Sequence, residues 1–392
     1  MGSPLMLSKS PRRALVITVV HDPRDSRIWF RQIAALLERG WQVTYAAAFS
    51  PDVGLGTEHL SPEACSRLRR VTLPRSRNRS RLRALLAVRQ LLARHSDRYD
   101  VIVIHDPELL ASTVGLHLPQ LVWDVHEDLA ASLGTKQWLP DAVHGPTARL
   151  VRSAEQWAEQ QFTLLLAETA YQERFSRPHR VVPNAVIVPP DLVPAGQDRV
   201  IYLGSLTAAR GSHLLPTIGR LLRERSDGRI GLEVIGPTHD DRTRDLLLQA
   251  QAEQDLVWTG FLPATQALER VRGALAGLSL LRDSPNYRHS IPTKLLEYCA
   301  YGVPFVTTPL PTAVDLVRRS GSGVVVGWDS PDSVVDAVLE LAGRPGLAQQ
   351  MGRRGHDFAM AEYDWAYWSQ IFADELESVA ARRSRTLVGA AG

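Results

Sequence analysis

Short apolar runs alternate with segments of helical spacing along the whole chain. In the first half the runs are Ala14–Val20, Gln42–Ala47, Arg70–Leu73, Val101–Ile104, Leu121–Val125, Thr163–Ala167 and Val181–Val182. In the second half they are Val200–Leu203, Leu232–Ile235, Leu256–Trp258, Leu278–Leu281, Pro304–Thr307 and Gly323–Val326. Most of these runs do not alternate apolar with polar positions. Both faces of such strands are expected to be covered, as in a parallel sheet between layers of helix. The segments between them, including Ile28–Arg39, Leu82–Arg94, Leu214–Arg223, Leu246–Glu253 and Ser333–Ala342, predict helices. The sum is an α/β chain in which β-α-β units build two doubly wound parallel sheets.

The stretch 186–198, VIVPPDLVPAGQD, carries three Pro and one Gly and reads as a stiff connector. It divides the chain into a domain at 1–190 and a second at 191–365. A C-terminal helix, about 366–385, is expected to pack back on the first. The tail TLVGAAG is expected to fray. Ligands of doubly wound sheets sit beyond the carboxyl ends of the strands, so the cleft between two such domains is the expected site.

Composition narrows the class. The 392 residues are 44% apolar and 22% charged, the values of a globular protein. No apolar run reaches the ~18 residues that a membrane span needs. The N-terminal MGSPLMLSKSPRR has no secretory apolar region. Cys65 and Cys299 make no disulfide framework, and a reducing cytoplasm is the expected compartment. The net charge is only +3, but Lys appears three times, at Lys9, Lys136 and Lys294, against 42 Arg. Ten Arg fall between Arg67 and Arg94 with no acidic residue among them. Leu85, Val88, Leu91 and Leu92 can form an apolar face there, with Arg81, Arg83, Arg89 and Arg94 around it. Peripheral contact with anionic lipid, a phosphate-bearing acceptor and a solvated basic helix all fit that pattern. The run lacks interleaved aromatics, which argues against nucleic acid.

Candidate chemistry lies at strand ends. In YLGSLTAARGSHLL, Gly204 ends a strand, Ser205 and Arg210 lie in the loop, and a helix is expected from Gly211 or Ser212. Backbone N–H groups and a guanidinium suit an anion there, although an ordinary turn with a surface Arg fits the same residues. In SIPTKLLEYCAYGVPFVTT, Ser290 or Thr293 can cap a helix that Gly302 closes. Lys294 and Glu297 share a face one turn apart, as a nucleotide site or as a surface ion pair. His21, His105 and His126 each follow an apolar strand, among Asp22, Asp25, Asp106, Asp124, Glu127 and Asp128. A neutral imidazole there can bind a sugar hydroxyl or move a proton. No His-x-x-x-His or Cys-x-x-Cys spacing occurs, so no metal is expected. Nor is there a Gly-x-Gly-x-x-Gly after the first strand, a Gly-x-Ser-x-Gly elbow or a Walker loop.

Taken together, HDPRDSRIWFRQIAALLERGWQVT, DVIVIHDPELL, VWDVHEDLA, VVPNAV, YLGSLTAARG, LEVIGP, VWTGFLP and PTKLLEYCAYGVPFVTT resemble, in order, the retaining glycosyltransferases of family 4. The resemblance covers nearly the whole chain and implies the GT-B fold. It implies transfer of a sugar from a nucleotide-diphosphate sugar, expected to be a UDP-sugar, to an acceptor hydroxyl with retained configuration. No metal or other cofactor is implied. By position, Arg210 would bind the donor diphosphate, Glu297 the ribose, and Lys294 with Thr293 the phosphates, while His126 would contact the donor sugar. Catalytic roles thus fall on His126, Arg210 and Lys294. Gly204, Ser205, His289, Ser290, Thr293 and Glu297 complete the expected donor site. His21, Asp25, His105, Asp106, Glu127, Asp283 and Asn286 are the expected contacts to sugar or acceptor.

Two departures stand out. Ser205 occupies the place of a second diphosphate-binding Arg in many members. His289 occupies the place of the first Glu of the Glu-x7-Glu motif, so Asp283 or Asn286 would supply the missing polar contact. The acceptor would be a lipid-linked glycan, a polysaccharide or a small metabolite. An epimerase or hydrolase of nucleotide sugars on the same fold, or a non-catalytic binding partner, is the alternative.

Overall fold

The computed structural model describes residues 11–50, 54–76, 80–126 and 141–390. Within them the chain divides into two compact units, with the boundary between Pro183 and Asn184 and a return to the first unit at Ser369.

The first unit holds strands β1 (Arg13–Ile17), β2 (Gln42–Ala47), β3 (Leu68–Thr72), β4 (Val101–Ile104), β5 (Leu121–Val125), β6 (Thr163–Leu166) and β7 (Arg180–Val181). They pair in parallel in the order β3-β2-β1-β4-β5-β6-β7. All four residues of β4 and all five of β5 are buried, as strands covered on both faces are, and Asp124 is the one charged residue among them. The Arg81–His95 helix covers one face through Ala84, Val88 and Leu92, one residue per turn. Leu85 and Leu91 pack against the same core, so the apolar face expected for lipid points into the protein. Leu82 and Leu86, at 66% and 50% exposure, carry the outward apolar surface instead.

The second unit holds β8 (Arg199–Leu203), β9 (Gly231–Ile235), β10 (Val257–Gly260), β11 (Ala276–Ser279), β12 (Phe305–Thr307) and β13 (Gly323–Val325). Their order is β10-β9-β8-β11-β12-β13, again parallel throughout. In each sheet the chain reverses its direction of winding beside the first strand, between β1 and β4 and between β8 and β11. The loops at those two places part to opposite faces and leave a crevice at the strand carboxyl ends.

Helix Trp365–Ala390 buries Phe372, Ala373, Leu376, Val379 and Ala380. Its Glu377 pairs with Arg12 at 2.8 Å, and Arg383 donates to the Asp97 carbonyl at 2.7 Å. The tail expected to fray continues this helix to Ala390, because no Pro interrupts it and Gly389 comes only at its end. Among the described residues no helix is long and apolar enough to cross a membrane.

Candidate functional site

The second unit gathers cations at its crevice. Gly204 follows β8 with φ +116°, a conformation that favours glycine. A Cβ built on it would lie 3.6 Å from Lys294 Nζ and 4.0 Å from Arg210 Nη1, so the two cations flank this glycine. The Arg210 loop is tied down by its own backbone, since its carbonyl accepts from Tyr202 Oη at 3.0 Å. Gly211, at φ +77°, presses the loop onto the end of β11, where an added Cβ would meet the Leu280 carbonyl at 2.4 Å. The helix expected from Gly211 or Ser212 begins later, at Leu215, after single 3-10 turns at Ala208–Arg210 and Ser212–Leu214. Left-handed Gly211 is incompatible with a continuous α-helix through the loop.

Lys294 and Glu297 ride on the helix Thr293–Ala300. Pro292 occupies its N-cap with no side-chain cap, so neither Ser290 nor Thr293 caps it. The Ser290 carbonyl instead accepts from Thr312 Oγ1 at 2.9 Å. Tyr298 holds the helix over the crevice: its hydroxyl accepts from Leu203 N at 3.0 Å and donates to the Leu278 carbonyl at 3.2 Å. Gly277 permits that approach, since a Cβ there would lie 2.5 Å from the Tyr298 ring. Lys294 is therefore no surface residue. It is 7% exposed, its Nζ has no hydrogen-bond partner among the described residues, and it sits 3.7 Å from the centroid of the Tyr202 ring. Burial, and then the Arg210 charge, push its pKa well below that of an ordinary lysine, against the pull of half-buried Glu297.

The first unit gathers imidazoles. His21, His105 and His126 follow β1, β4 and β5, which are neighbours in the sheet. His21 Nε2 and His126 Nε2 stand 2.9 Å apart. His126 Nδ1 lies 3.2 Å from the Asp124 carbonyl and suits donation to it. With both rings neutral, His21 then donates from Nε2 and His126 accepts. His105 is buried, and burial lowers its pKa against the pull of Asp124, 3.2 Å from its Nδ1. Asp124 is itself fully buried. Burial works to raise its pKa, but the paired Arg27 guanidinium at 2.6 and 2.8 Å holds it well below the carboxylate range. Gln32 adds a third donor at 2.9 Å.

Two further acids have structural tasks. Asp106 is fully buried and accepts from Val19 N at 2.5 Å, Val20 N at 3.2 Å and Thr18 Oγ1, with His21 Nε2 3.4 Å away. Asp25 Oδ1 accepts from Arg27 N and Ile28 N at 2.8 and 3.0 Å, opening the helical segment, while its Oδ2 lies 4.0 Å from His21 Nδ1. That segment starts as one π-turn, Ile28–Ile33. His105, Asp124 and His126 bring ligand-type atoms within 4.8 Å of one another, which local spacing could not reveal. Both Asp124 oxygens already face Arg27, a poor setting for a second cation.

Ser205 and His289 are exposed. Asp283 forms a two-pronged ion pair with Arg288 at 2.6 and 2.7 Å. Glu127 and the Asn286 side chain lie outside the described residues. The structure adds Arg27, Gln32, Tyr202 and Tyr298, none of which a local motif singles out. The signals for them were a charged residue just before an apolar segment and tyrosines on otherwise apolar elements.

Comparison with known proteins gives this geometry a family. Residues 188–358 match the model for glycosyl transferases group 1, and residues 26–191 match the glycosyl transferase 4-like domain. The GDP-mannose-dependent alpha-(1-6)-phosphatidylinositol monomannoside mannosyltransferase of Mycobacterium tuberculosis is 29% identical over 199 residues, 47% of this chain. The match spans 48% of that relative's length. The fold is shared with sucrose-phosphate synthase from Thermosynechococcus elongatus, at TM-score 0.71 and 16% identity over 95% of this chain and 100% of that one. It is shared as well with HepE from Anabaena in complex with UDP-glucose, at TM-score 0.67 and 13% identity over 93% of this chain and 99% of that one. The chain belongs to the family 4 glycosyltransferases and has their GT-B fold.

Proposed function

We propose that this glycosyltransferase moves a hexose from a nucleoside diphosphate sugar to an acceptor hydroxyl with retention of configuration, without a metal. The observation that supports it is the pairing of Arg210 with buried Lys294 around Gly204. A guanidinium and a lysine held this close in a crevice cannot both carry charge comfortably unless an anion joins them, and a diphosphate matches that demand. As the sugar leaves, charge builds on the β-phosphate. Arg210 and Lys294 stabilise it in place, the work a metal ion does elsewhere. Glu297 accepts from the ribose hydroxyls. His126 keeps the part that the family resemblance gives it, contact with the transferred sugar.

The test is turnover of UDP-glucose and GDP-mannose against a panel of acceptors, with the product anomer read by NMR. A uridine donor is the expectation, and the GDP-mannose-dependent relative makes guanosine the first alternative. Arg210→Ala and Glu297→Ala should each lower turnover about a hundredfold, or ~3 kcal/mol. A chelator should leave the rate unchanged. Near-normal turnover in both variants rejects the site. Donor consumption that needs no acceptor reassigns the reaction to hydrolysis or epimerisation.

For the acceptor, a lipid-linked saccharide is the favoured class. Leu82 and Leu86 project with Arg81 and Arg83 from an otherwise core-packed helix, a pattern suited to an anionic membrane surface.

A further inference from the structure

We propose that binding of the donor is coupled to the uptake of one proton at Lys294. The inference rests on the donor reading above and adds a thermodynamic link to it. Its basis is geometric. Among the described residues the Lys294 Nζ is buried, has no hydrogen-bond partner, and lies against the face of Tyr202 at 3.7 Å. A charged ammonium so placed loses its hydration and gains one ring contact in return. The Arg210 guanidinium beside the same glycine makes the charge costlier still.

The groups around Lys294 leave this balance intact. On its own helix, Glu297 favours the charge, while the Tyr298 hydroxyl is bound to backbone at Leu203 and Leu278. From β8 comes Tyr202, whose own pKa is raised by burial. From the turn Pro285–Tyr287 comes Tyr287, which acts on Tyr202. From helix Pro345–Glu362, His356 bonds through Nδ1 to the Ala300 carbonyl, at the far end of the Lys294 helix. Together burial and Arg210 outweigh Glu297, so the folded protein releases this proton more readily than an ordinary lysine does.

A diphosphate reverses the balance. It carries two negative charges, and Arg210 answers one. Ser205 offers no second cation, so the remaining charge falls to Lys294. The amine takes a proton from buffer, its lone pair forms the new N–H bond, and the ammonium then donates to a phosphate oxygen. The donor diphosphate keeps both charges through neutral pH, and the base N–H of uracil or guanine, which ionises only in the alkaline range, is common to the Lys294→Arg control and cancels in that comparison.

Calorimetric titration of the whole chain with UDP-glucose, and in parallel GDP-mannose, in Hepes and in Tris tests this. Observed enthalpy plotted against buffer ionisation enthalpy has the number of protons taken up as its slope. Over the pH range below the ordinary lysine value of ~10.4 in which the free protein has released this proton and the complex keeps it, the slope should approach one. Affinity should fall by up to about tenfold per pH unit as the pH rises through this range. Lys294→Arg, which stays charged, should bind with zero slope. Lys294→Met should bind weakly, also with zero slope. Binding of either donor to the unaltered protein with zero slope at every pH overturns the proposal and leaves the donor site standing. If neither nucleotide sugar binds, the donor reading falls, and the proton link falls with it.

Discussion

His21 and His126 face each other through their Nε2 atoms at 2.9 Å, although 105 residues separate them. Only one of the two nitrogens can carry the proton in a neutral pair, and the Asp124 carbonyl selects the tautomer of His126. With the role proposed for it, His126→Ala should lower turnover about a hundredfold. His21→Phe should cost less, about tenfold, because the hydrogen bond that orients the His126 ring is gone. Parent-like turnover of His21→Phe would reduce His21 to packing.

Arg27 and Asp124 form the buried ion pair beneath this cluster, and the Arg27 guanidinium also donates to the Pro183 and Val182 carbonyls at 3.0 and 2.9 Å. Arg27→Met or Asp124→Asn leaves a buried group without its partner and should destabilise the first unit by about 3–5 kcal/mol. Urea unfolding monitored by tryptophan fluorescence measures it. The double variant should lose less than the two single losses added together.

The same pair sets an acid limit. The folded-state pKa of Asp124 lies well below the ordinary value, so the unfolded chain binds this proton more readily. Its stabilisation is present in full above about pH 3.9 and is lost as the pH falls below that, through the lowered folded value. Asp124→Asn should flatten this part of the acid-unfolding curve.

Gly211→Ala tests the loop that carries Arg210. The position needs φ +77°, and the new methyl would sit 2.4 Å from the Leu280 carbonyl. A cost of about 1–3 kcal/mol is expected from the backbone conformation alone. Donor affinity should fall with it, since Arg210 is the preceding residue. Unchanged affinity at lowered stability would separate loop strain from the donor site.

Membrane contact has a simple measure. Sedimentation with vesicles containing phosphatidylglycerol should carry the protein down at low salt and release it at high salt. Leu82→Glu together with Leu86→Glu should abolish it, whereas phosphatidylcholine vesicles should bind neither form. Equal sedimentation with both lipids would remove the electrostatic reading.

Much of the architecture was legible because it is local. Val101–Ile104 is an uninterrupted apolar run and Leu121–Val125 is broken only by Asp124, and a strand buried on both faces needs such a run. The helix Thr293–Ala300 announced itself by a preceding proline and a following glycine, although its cap differed in detail. The Arg81–His95 helix shows the limit. Leu85 and Leu91 are as apolar as Leu82 and Leu86, and composition alone cannot say which pair turns outward. Packing against the sheet chose.

Periodicity and strand-end position thus carried the two parallel sheets and the loops on which polar groups gather. Those are properties of neighbours along the chain, governed by backbone geometry and burial of one segment at a time. Which of these groups touch was decided by folding. Nothing beside Lys294 in sequence marks it as a buried lysine against Tyr202, which lies 92 positions earlier. Nothing near His21 names His126 as its partner. Such contacts depend on strand order in the sheet, and a chain acquires that order only when distant segments pack.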